Sequence, residues 1–195
     1  MNPLFRLCLA KTCLTALALV SALCPQPAQA APARTVWLDS LDLSGMRQEY
    51  GDPHAGKSVE GTPLSLAGTV YAHGVGTHAA SSFDVDLKGA ATRFRAVVGV
   101  DDERKNQGSV VFQVFVDGEK KAETLVLHGG DPPVRLSVNL TGAHRLRLVV
   151  TDGGDNYVND HADWANAFLT LRRGAARKPV AFIGCLRAEA RAHRK

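Results

Sequence analysis

Polar and aromatic side chains crowd into one short stretch of the chain, residues 157–164. Sugar binding needs an aromatic ring that stacks on a C–H face and planar polar groups that hydrogen-bond paired hydroxyls. This stretch supplies both, and a histidine from an earlier Gly-rich loop can join it. We therefore predict a carbohydrate-binding surface formed by His78, Tyr157, Asn159, Asp160, His161 and Trp164.

Two of these residues have an equally good structural interpretation. Trp164 stands at the start of the last apolar run, where an aromatic side chain can belong to the core. His78 closes a Gly-rich turn, which its side chain can cap. Tyr157 and His161 lie in the loop that we expect to be most exposed, so the binding hypothesis depends mainly on them.

The same loop is rich in oxygen ligands. Carboxylate and amide oxygens suit hard cations such as Ca²⁺. The spacing is not that of an EF-hand, because Tyr157 stands where that loop requires glycine. The oxygen-bearing residues are Asp152, Asp155, Asn156, Asn159 and Asp160.

The sequence contains no recognisable catalytic constellation. It has no nucleophile elbow, no Gly-rich phosphate loop and no helical His-Glu-x-x-His motif around His73 and His78. Glycosidases need two carboxylates that face each other across a cleft, whereas Asp101, Asp102 and Glu103 are adjacent. We expect these three to form a turn whose side chains accept backbone N–H bonds, and we expect no enzymatic activity.

The elements that position these residues are predicted to be β-strands. Apolar, β-branched runs are separated by turn residues, and no helical periodicity appears before residue 174. Residues 52–63 are predicted to be a loop across one end. The pattern indicates an all-β fold, an antiparallel β-sandwich whose first and last strands pair. The predicted strands are 35–41, 81–87, 92–100, 109–116, 121–127, 136–140, 146–150 and 164–171.

A series of short motifs combines β-rich runs with turns of Gly, Asp, Asn or His. The motifs occupy residues 71–78, 98–103, 108–114, 149–154 and 160–164. In this order they resemble the NPCBM family of carbohydrate-binding modules, domains that are often appended to glycoside hydrolases. The resemblance covers residues 34–171.

The resemblance implies a jelly-roll sandwich similar to galactose-binding domains, and galactose-type glycans as ligands. Such sandwiches often hold one structural Ca²⁺ where the first strand meets the last. By resemblance, Asp39, Asp163 and Asn166 are the places to look for it, although many relatives have an acid where this chain has Asn166. The alternative function is a scaffold or protein-interaction domain that kept the fold and lost its affinity for sugar.

The first thirty residues have the pattern of a secretory signal peptide. Arg6 and Lys11 give a positive start, and residues 14–23 form an apolar run that is short for a membrane span. A small-x-small pattern ends at Ala30, where we expect cleavage. The protein is therefore predicted to be exported to the periplasm or beyond, with no transmembrane segment left after cleavage.

Two alternatives for this segment are an uncleaved membrane anchor and a lipoprotein modified at Cys24. The second is weakened because Leu23 is not the small residue that a lipobox needs. Cleavage would remove three of the four cysteines and leave Cys185, so no intramolecular disulfide is expected.

The net charge of +4 is unevenly distributed. Residues 31–171 hold 13 Lys and Arg against 18 Asp and Glu, whereas residues 172–195 hold 8 against one. The basic balance therefore belongs to the tail and gives no reason to expect that the domain binds nucleic acid. We predict that residues 172–195 are a disordered tail. The alternative is that this tail contacts an anionic polymer or a membrane.

Overall fold

A computed structural model describes residues 34–182 of the 195-residue chain, and the predicted signal peptide, Cys185 and the end of the basic tail lie outside this range. The described residues fold almost entirely into strands. The strands are β1 Thr35–Trp37, β2 Arg47–Gln48, β3 His54–Ala55, β4 Leu64–Leu66, β5 Thr69–Tyr71, β6 Gly74–His78, β7 Ser81–Asp86, β8 Ala91–Val100, β9 Ser109–Val116, β10 Glu119–Glu123, β11 Leu127–His128, β12 Val134–Asn139, β13 Arg145–Thr151, β14 His161–Leu171 and β15 Val180–Phe182. Short 3₁₀ turns occupy Leu38–Ser40, Leu43–Gly45 and Asp102–Arg104.

Two antiparallel sheets form a sandwich, which confirms the predicted fold. The first sheet has the order β12-β8-β14-β6-β3, with β1 also paired to β14. The second has the order β10-β9-β13-β7-β15, with β11 paired to β9 and β2 to β7. The expected pairing of the first and last predicted strands is present, because Trp37 lies opposite Phe168.

Alternation along the strands places the core between the two sheets. On β9 the buried positions are Val110, Phe112, Val114 and Val116, and the residues between them face outward. Trp164, on the central strand β14, packs edge to face on Phe112 with ring centroids 4.9 Å apart. The core therefore depends on period-2 patterning from both sheets.

Strand β6 was missed in the sequence because its glycines resemble a turn. All five of its residues are buried. A Cβ atom at Gly76 would lie 2.4 Å from the backbone oxygen of Lys57, and one at Gly74 would lie 2.4 Å from that of Trp164. These glycines allow neighbouring backbone to approach a central strand, and they do not form a turn.

The 101–103 motif forms the predicted turn. The Asp101 carboxylate accepts a hydrogen bond from the Ser65 amide at 3.0 Å, and Asp102 accepts from the amides of Ala67 and Gly68 at 2.9 and 2.8 Å. The turn thereby anchors the β4–β5 hairpin, whose Leu66 belongs to a small cluster on the outer face of the first sheet. The predicted loop 52–63 is largely irregular and contains only the short strand β3 and one isolated bridge.

One short part of the segment that we predict to be a disordered tail forms a strand, and disorder of the rest of the tail stays a prediction. Val180–Phe182 forms a strand on the outer edge of β7, in register with Asp84 to Asp86. The guanidinium of Arg145 lies 4.8 Å from the centroid of the Phe182 ring, which adds a cation–π contact. Backbone pairing at an open sheet edge stabilises this short apolar run, even though the run itself buries little surface.

Strand β15 gives a prediction about stability. Truncation after Pro179 should lower the thermal midpoint by about 3 °C or more, roughly 1 kcal/mol for a domain of this size, because β7 loses an edge partner. Truncation after Phe182 is the matched control and should leave the midpoint unchanged. Differential scanning calorimetry of the two truncated proteins makes the comparison, and equal midpoints would contradict the role assigned to β15.

Candidate functional site

Strands β14 and β6 bring two histidines together at one end of the sandwich. His161 pairs with His78 in the antiparallel register, and their rings meet edge to face with centroids 5.2 Å apart. Each is only 3% exposed. Two predicted binding residues that are far apart in sequence are therefore neighbours.

Tyr50 lies against both histidines. Its ring centroid is 5.1 Å from that of His78 and 6.3 Å from that of His161. Tyr50 is 50% exposed, so one part of the ring is available to a ligand while the other packs on imidazole. The three rings form an aromatic cluster in which Tyr50 is open to solvent and the two histidines are buried beneath it.

Hydrogen bonds fix the protonation state of His161. The Arg104 Nε–H group donates to His161 Nε2 at 3.1 Å, and an arginine side chain can only donate. His161 Nε2 must therefore be an acceptor, so the proton is on Nδ1 and points to the Glu103 carboxylate at 2.5 Å. His161 is neutral and held in one orientation.

Glu103 is in turn held by the 52–63 loop. Its Oε2 atom accepts hydrogen bonds from Ser58 Oγ at 2.6 Å and Thr62 Oγ1 at 3.1 Å. Burial opposes ionisation of this carboxyl, but the hydrogen bonds from His161 and Ser58 outweigh it and lower its pKa. The Glu103 carboxylate therefore holds the His161 ring through a hydrogen bond.

His78 is also a neutral imidazole. Burial lowers its pKa, and the nearby Arg104 guanidinium lowers it further, against an opposing hydrogen bond to Ala79. Its Nδ1 atom lies 2.5 Å from the Ala79 carbonyl oxygen and must donate to it. His78 Nε2 is consequently an acceptor for a ligand hydroxyl.

The rim of this surface carries both hydrogen-bond donors and acceptors. The Arg104 guanidinium donates to Glu60 Oε1 at 2.7 Å, and the Tyr50 hydroxyl donates to the same oxygen at 3.3 Å. The side chains of Arg104 and Glu60 are each 38% exposed. This arrangement can stack on an apolar ring face and hydrogen-bond the hydroxyls around it. We call Tyr50, Glu60, His78, Arg104 and His161 the histidine site.

The structure separates the remaining predicted residues from these two histidines. Tyr157 is 57% exposed on the neighbouring loop, and the Asn159 amide donates to Gln107 Oε1 at 2.8 Å. Asp160 is fully buried, and its Oδ1 atom accepts from the Ser109 amide at 2.8 Å. Burial raises the pKa of Asp160 to about 6. Asp160 therefore anchors the loop before β14 to Ser109, and its side chain is not accessible to a sugar.

Trp164 requires a correction. The sequence left open whether its ring is a sugar platform or part of the core, and the structure places it in the core at 1% exposure. Its ring packs between Phe112 and Phe94, at 4.9 and 6.1 Å between centroids. No face of the indole is open to a ligand.

The predicted calcium ligands do not converge into one set of side chains. Asp39 Oδ2 already interacts with His73 Nδ1 at 3.0 Å and the Gly74 amide at 3.1 Å. The main-chain N–H of Asn166 donates to the His73 carbonyl oxygen, but Asp163 lies opposite Gly76, further along β14. Within residues 34–182, no group of three or more His, Cys, Asp or Glu is arranged to hold a metal ion. A structural calcium ion stays a prediction.

Sequence reasoning missed the contributions of Tyr50, Glu60 and Arg104. Tyr50 and Glu60 belong to an aperiodic polar segment that gave no strand signal, and Arg104 follows the 101–103 turn. The one available signal was an exposed aromatic residue, Tyr50, directly before the turn residues Gly51 and Asp52. Their convergence with the histidines depends on tertiary structure alone.

A β-sandwich with aromatic and polar side chains at one end is typical of carbohydrate-binding modules. The model of the NPCBM/NEW2 domain family matches residues 34–170. The chain belongs to this family.

Several characterised or curated proteins are similar to the domain. The solved structure "The structure of CBM51 from Clostridium perfringens GH95 in complex with methyl-galactose" superposes with a TM-score of 0.67 at 32% identity, covering 70% of this chain and all of that one. Alpha-1,3-galactosidase B of Akkermansia muciniphila is 32% identical over 137 residues, which is 68% of this chain and 17% of the enzyme. A Renibacterium salmoninarum protein, assigned by name to the endo-alpha-N-acetylgalactosaminidases, is 40% identical over 108 residues, or 55% of this chain and 7% of that protein.

The chain thus spans only a small part of the two curated relatives. The similarity concerns the module and does not extend over the whole length of either protein. Across residues 34–182, no helix is long and apolar enough to cross a membrane.

Because Trp164 lies in the core, we predict that removing its side chain causes a large loss of stability. Trp164→Ala should lower the free energy of unfolding by about 3–5 kcal/mol, because a buried aromatic side chain leaves a cavity. Tyr157→Ala is the control, since that ring is exposed, and it should change stability little. Urea unfolding followed by tryptophan fluorescence from Trp37, or by circular dichroism, measures both. A Trp164→Ala protein of unchanged stability would refute the core assignment.

Asp163 predicts a pH dependence of stability. It is fully buried, and its carboxyl group lies beside that of Asp101. Burial raises its pKa well above the ordinary value, and the neighbouring carboxyls of Asp101 and Glu103 add to the effect. The folded state therefore retains a proton that the unfolded chain loses above a pH of about 4. Stability falls as pH rises from there towards the raised pKa.

Asp163→Asn mimics the protonated carboxyl and should remove this pH dependence. We expect the thermal midpoint of the variant to rise relative to the natural protein as pH increases from about 5 to about 8, because only the natural side chain must keep or lose a proton. Asp52→Asn, at an exposed position, is the control for the change in net charge. A variant less stable than the natural protein at every pH would instead indicate that Asp163 is needed in its ionised form, as a calcium ligand would be.

Proposed function

We propose that the protein is an exported, non-catalytic module that binds galactose-type glycans at the histidine site. The observation that carries the proposal is the contact of Tyr50 with the paired neutral rings of His78 and His161, beside the exposed Arg104 and Glu60. This differs from the sequence hypothesis, which located binding mainly in the loop of Tyr157.

The chemistry of the site fits a neutral sugar. The half-exposed Tyr50 ring can stack on the C–H face of a pyranose. His78 Nε2 and the Glu60 carboxylate accept hydrogen bonds from hydroxyls, and Arg104 donates them. Because the histidines are neutral and hydrogen-bonded to Ala79 and Glu103, the polar groups are preorganised before the sugar arrives.

Two considerations favour galactose-type sugars over their glucose epimers. Galactose has an axial 4-hydroxyl, which gathers the C–H groups of positions 3, 4 and 5 on one face and leaves the hydroxyl to a polar partner. Tyr50 and His78 offer these two functions side by side. The similar Clostridium perfringens module was solved with methyl-galactose, which supports the same ligand class here.

Export is supported by the sequence of residues 1–30 and by the family. Carbohydrate-binding modules serve glycans that are found outside the cytoplasm, so a secretory signal agrees with the proposed ligand. The absence of a recognisable catalytic motif in the sequence supports a binding role without chemistry.

Isothermal titration with methyl-β-galactoside and methyl-β-glucoside tests the proposal. We expect binding of the galactoside, and Tyr50→Ala should weaken it by about ten- to a hundredfold, the cost of a lost stacking ring. His161→Ala should have a similar effect, because Arg104 loses the partner that orients it. Tyr50→Phe keeps the ring, loses only the bond to Glu60 and should retain most of the affinity.

Tyr157→Ala distinguishes the two locations. It removes an exposed ring from the neighbouring loop, and affinity should stay unchanged if the histidine site is the binding site. A large loss with Tyr157→Ala and none with Tyr50→Ala would move the site to the 155–160 loop. No binding of any glycan on an array would favour the alternative of a scaffold or protein-interaction domain.

A further inference from the structure

The outer face of the first sheet carries three arginines far from the histidine site. Along β8 the residues Phe94 and Ala96 face the core, so Arg93 and Arg95 face outward. On the neighbouring strand β12, Arg135 is exposed and lies opposite Val97, two residues beyond Arg95 on the same face of the sheet. The three guanidinium groups thus belong to two adjacent strands of one sheet face.

These arginines have no carboxylate partner. Arg93 donates a hydrogen bond to Ser137 Oγ at 3.2 Å, and Arg95 lies over the Phe168 ring at 6.0 Å. None of the ion pairs found within residues 34–182 involves Arg93, Arg95 or Arg135.

Aromatic rings continue the same face on the other side of Arg95. Phe168 lies opposite Arg95 on β14, and Trp37 lies opposite Phe168 on β1. The Trp37 ring is stacked on the His73 ring at 4.2 Å, with an interplanar angle of 9°. A row of side chains therefore crosses the sheet. It begins with the stacked rings of His73 and Trp37, continues with Phe168 and ends with the Arg95 guanidinium. We call Trp37, His73, Arg93, Arg95, Arg135 and Phe168 the arginine face.

The arginine face is a local exception to the charge of the domain. Residues 31–171 have five more acids than bases, yet this face contains three cations, and the Asp39 carboxylate beside it is hydrogen-bonded to His73 and the Gly74 amide. The β4–β5 hairpin covers the adjoining part of the sheet, where Leu66 packs on Val97, and leaves the arginine face open. Along β14, Phe168 is seven residues from His161, roughly 23 Å at the rise of a strand.

We propose that the arginine face is a second binding surface and that its ligand is an anionic polysaccharide carrying carboxylate or sulfate groups. Arginine guanidinium groups bind such anions through paired hydrogen bonds. The aromatic row provides a platform on which sugar rings stack beside the charged groups. A flat sheet face suits an extended chain, whereas the histidine site suits a single terminal sugar. The surface is independent of galactose binding.

Titration of the full chain with polygalacturonate and with chondroitin sulfate tests this proposal, and neutral dextran is the comparison. We expect both anionic polymers to bind and dextran not to bind. The triple variant Arg93→Gln, Arg95→Gln, Arg135→Gln should weaken binding by about tenfold or more, since each charged hydrogen bond contributes appreciably. Binding should also weaken as sodium chloride is raised, because exposed charges are screened.

A matched triple variant controls for overall charge. Lys88→Gln, Lys105→Gln, Lys120→Gln removes three positive charges outside the arginine face and should leave affinity for both polymers unchanged. Equal losses in the two triple variants would overturn the proposal in favour of unspecific charge. Tighter binding of a single-stranded DNA of similar charge would also overturn it, because the ligand would then be a nucleic acid.

The histidine site provides the remaining control. Tyr50→Ala should weaken galactoside binding by about ten- to a hundredfold and leave binding of the anionic polymers intact. If polymer affinity falls with Tyr50→Ala and not with the arginine variant, the second surface does not exist and the polymer occupies the histidine site. Failure of galactoside binding alone leaves the arginine face unaffected, so the two proposals fail separately.

Discussion

The register of the central strand β14 between β6 and β8 is the constraint on which the rest of the structure depends. It buries Trp164 against Phe112 between the sheets and, in the same step, sets His161 opposite His78 at the sheet end. A slip of one residue would turn the indole out of the core and move His161 away from its partner. The core and the histidine site are therefore specified by the same strand pairing.

Buried carboxyl groups connect this scaffold to the histidine site. Asp101 and Asp102 hold the β4–β5 hairpin through backbone amides, and the next residue, Glu103, orients His161. Asp163 is fully buried next to the Asp101 carboxyl group. The repulsion between these four neighbouring carboxylates would lower the stability of the fold unless one of them keeps its proton. The benefit is a rigid imidazole that needs no reorganisation when a ligand binds.

Two surfaces of different chemistry result from one sandwich. The end loops offer neutral imidazoles and a half-exposed phenol ring, which suit an uncharged sugar. The open half of the first sheet offers arginines without carboxylate partners next to aromatic rings, which suits an anionic chain. The hairpin that covers the other half of the same sheet separates the two.

The sequence by itself determined the fold class and the core, because period-2 patterns such as that of β9 are local and survive without tertiary information. It also identified His78 and His161. Only the tertiary structure decided that these two meet, that Trp164 is inside, and that Tyr50 and Arg104 join them. The reason is that strand pairing joins residues more than eighty positions apart, which no local pattern encodes. Edge pairing likewise ordered β15, since its stability comes from the hydrogen-bonding groups of β7 and not from its own composition.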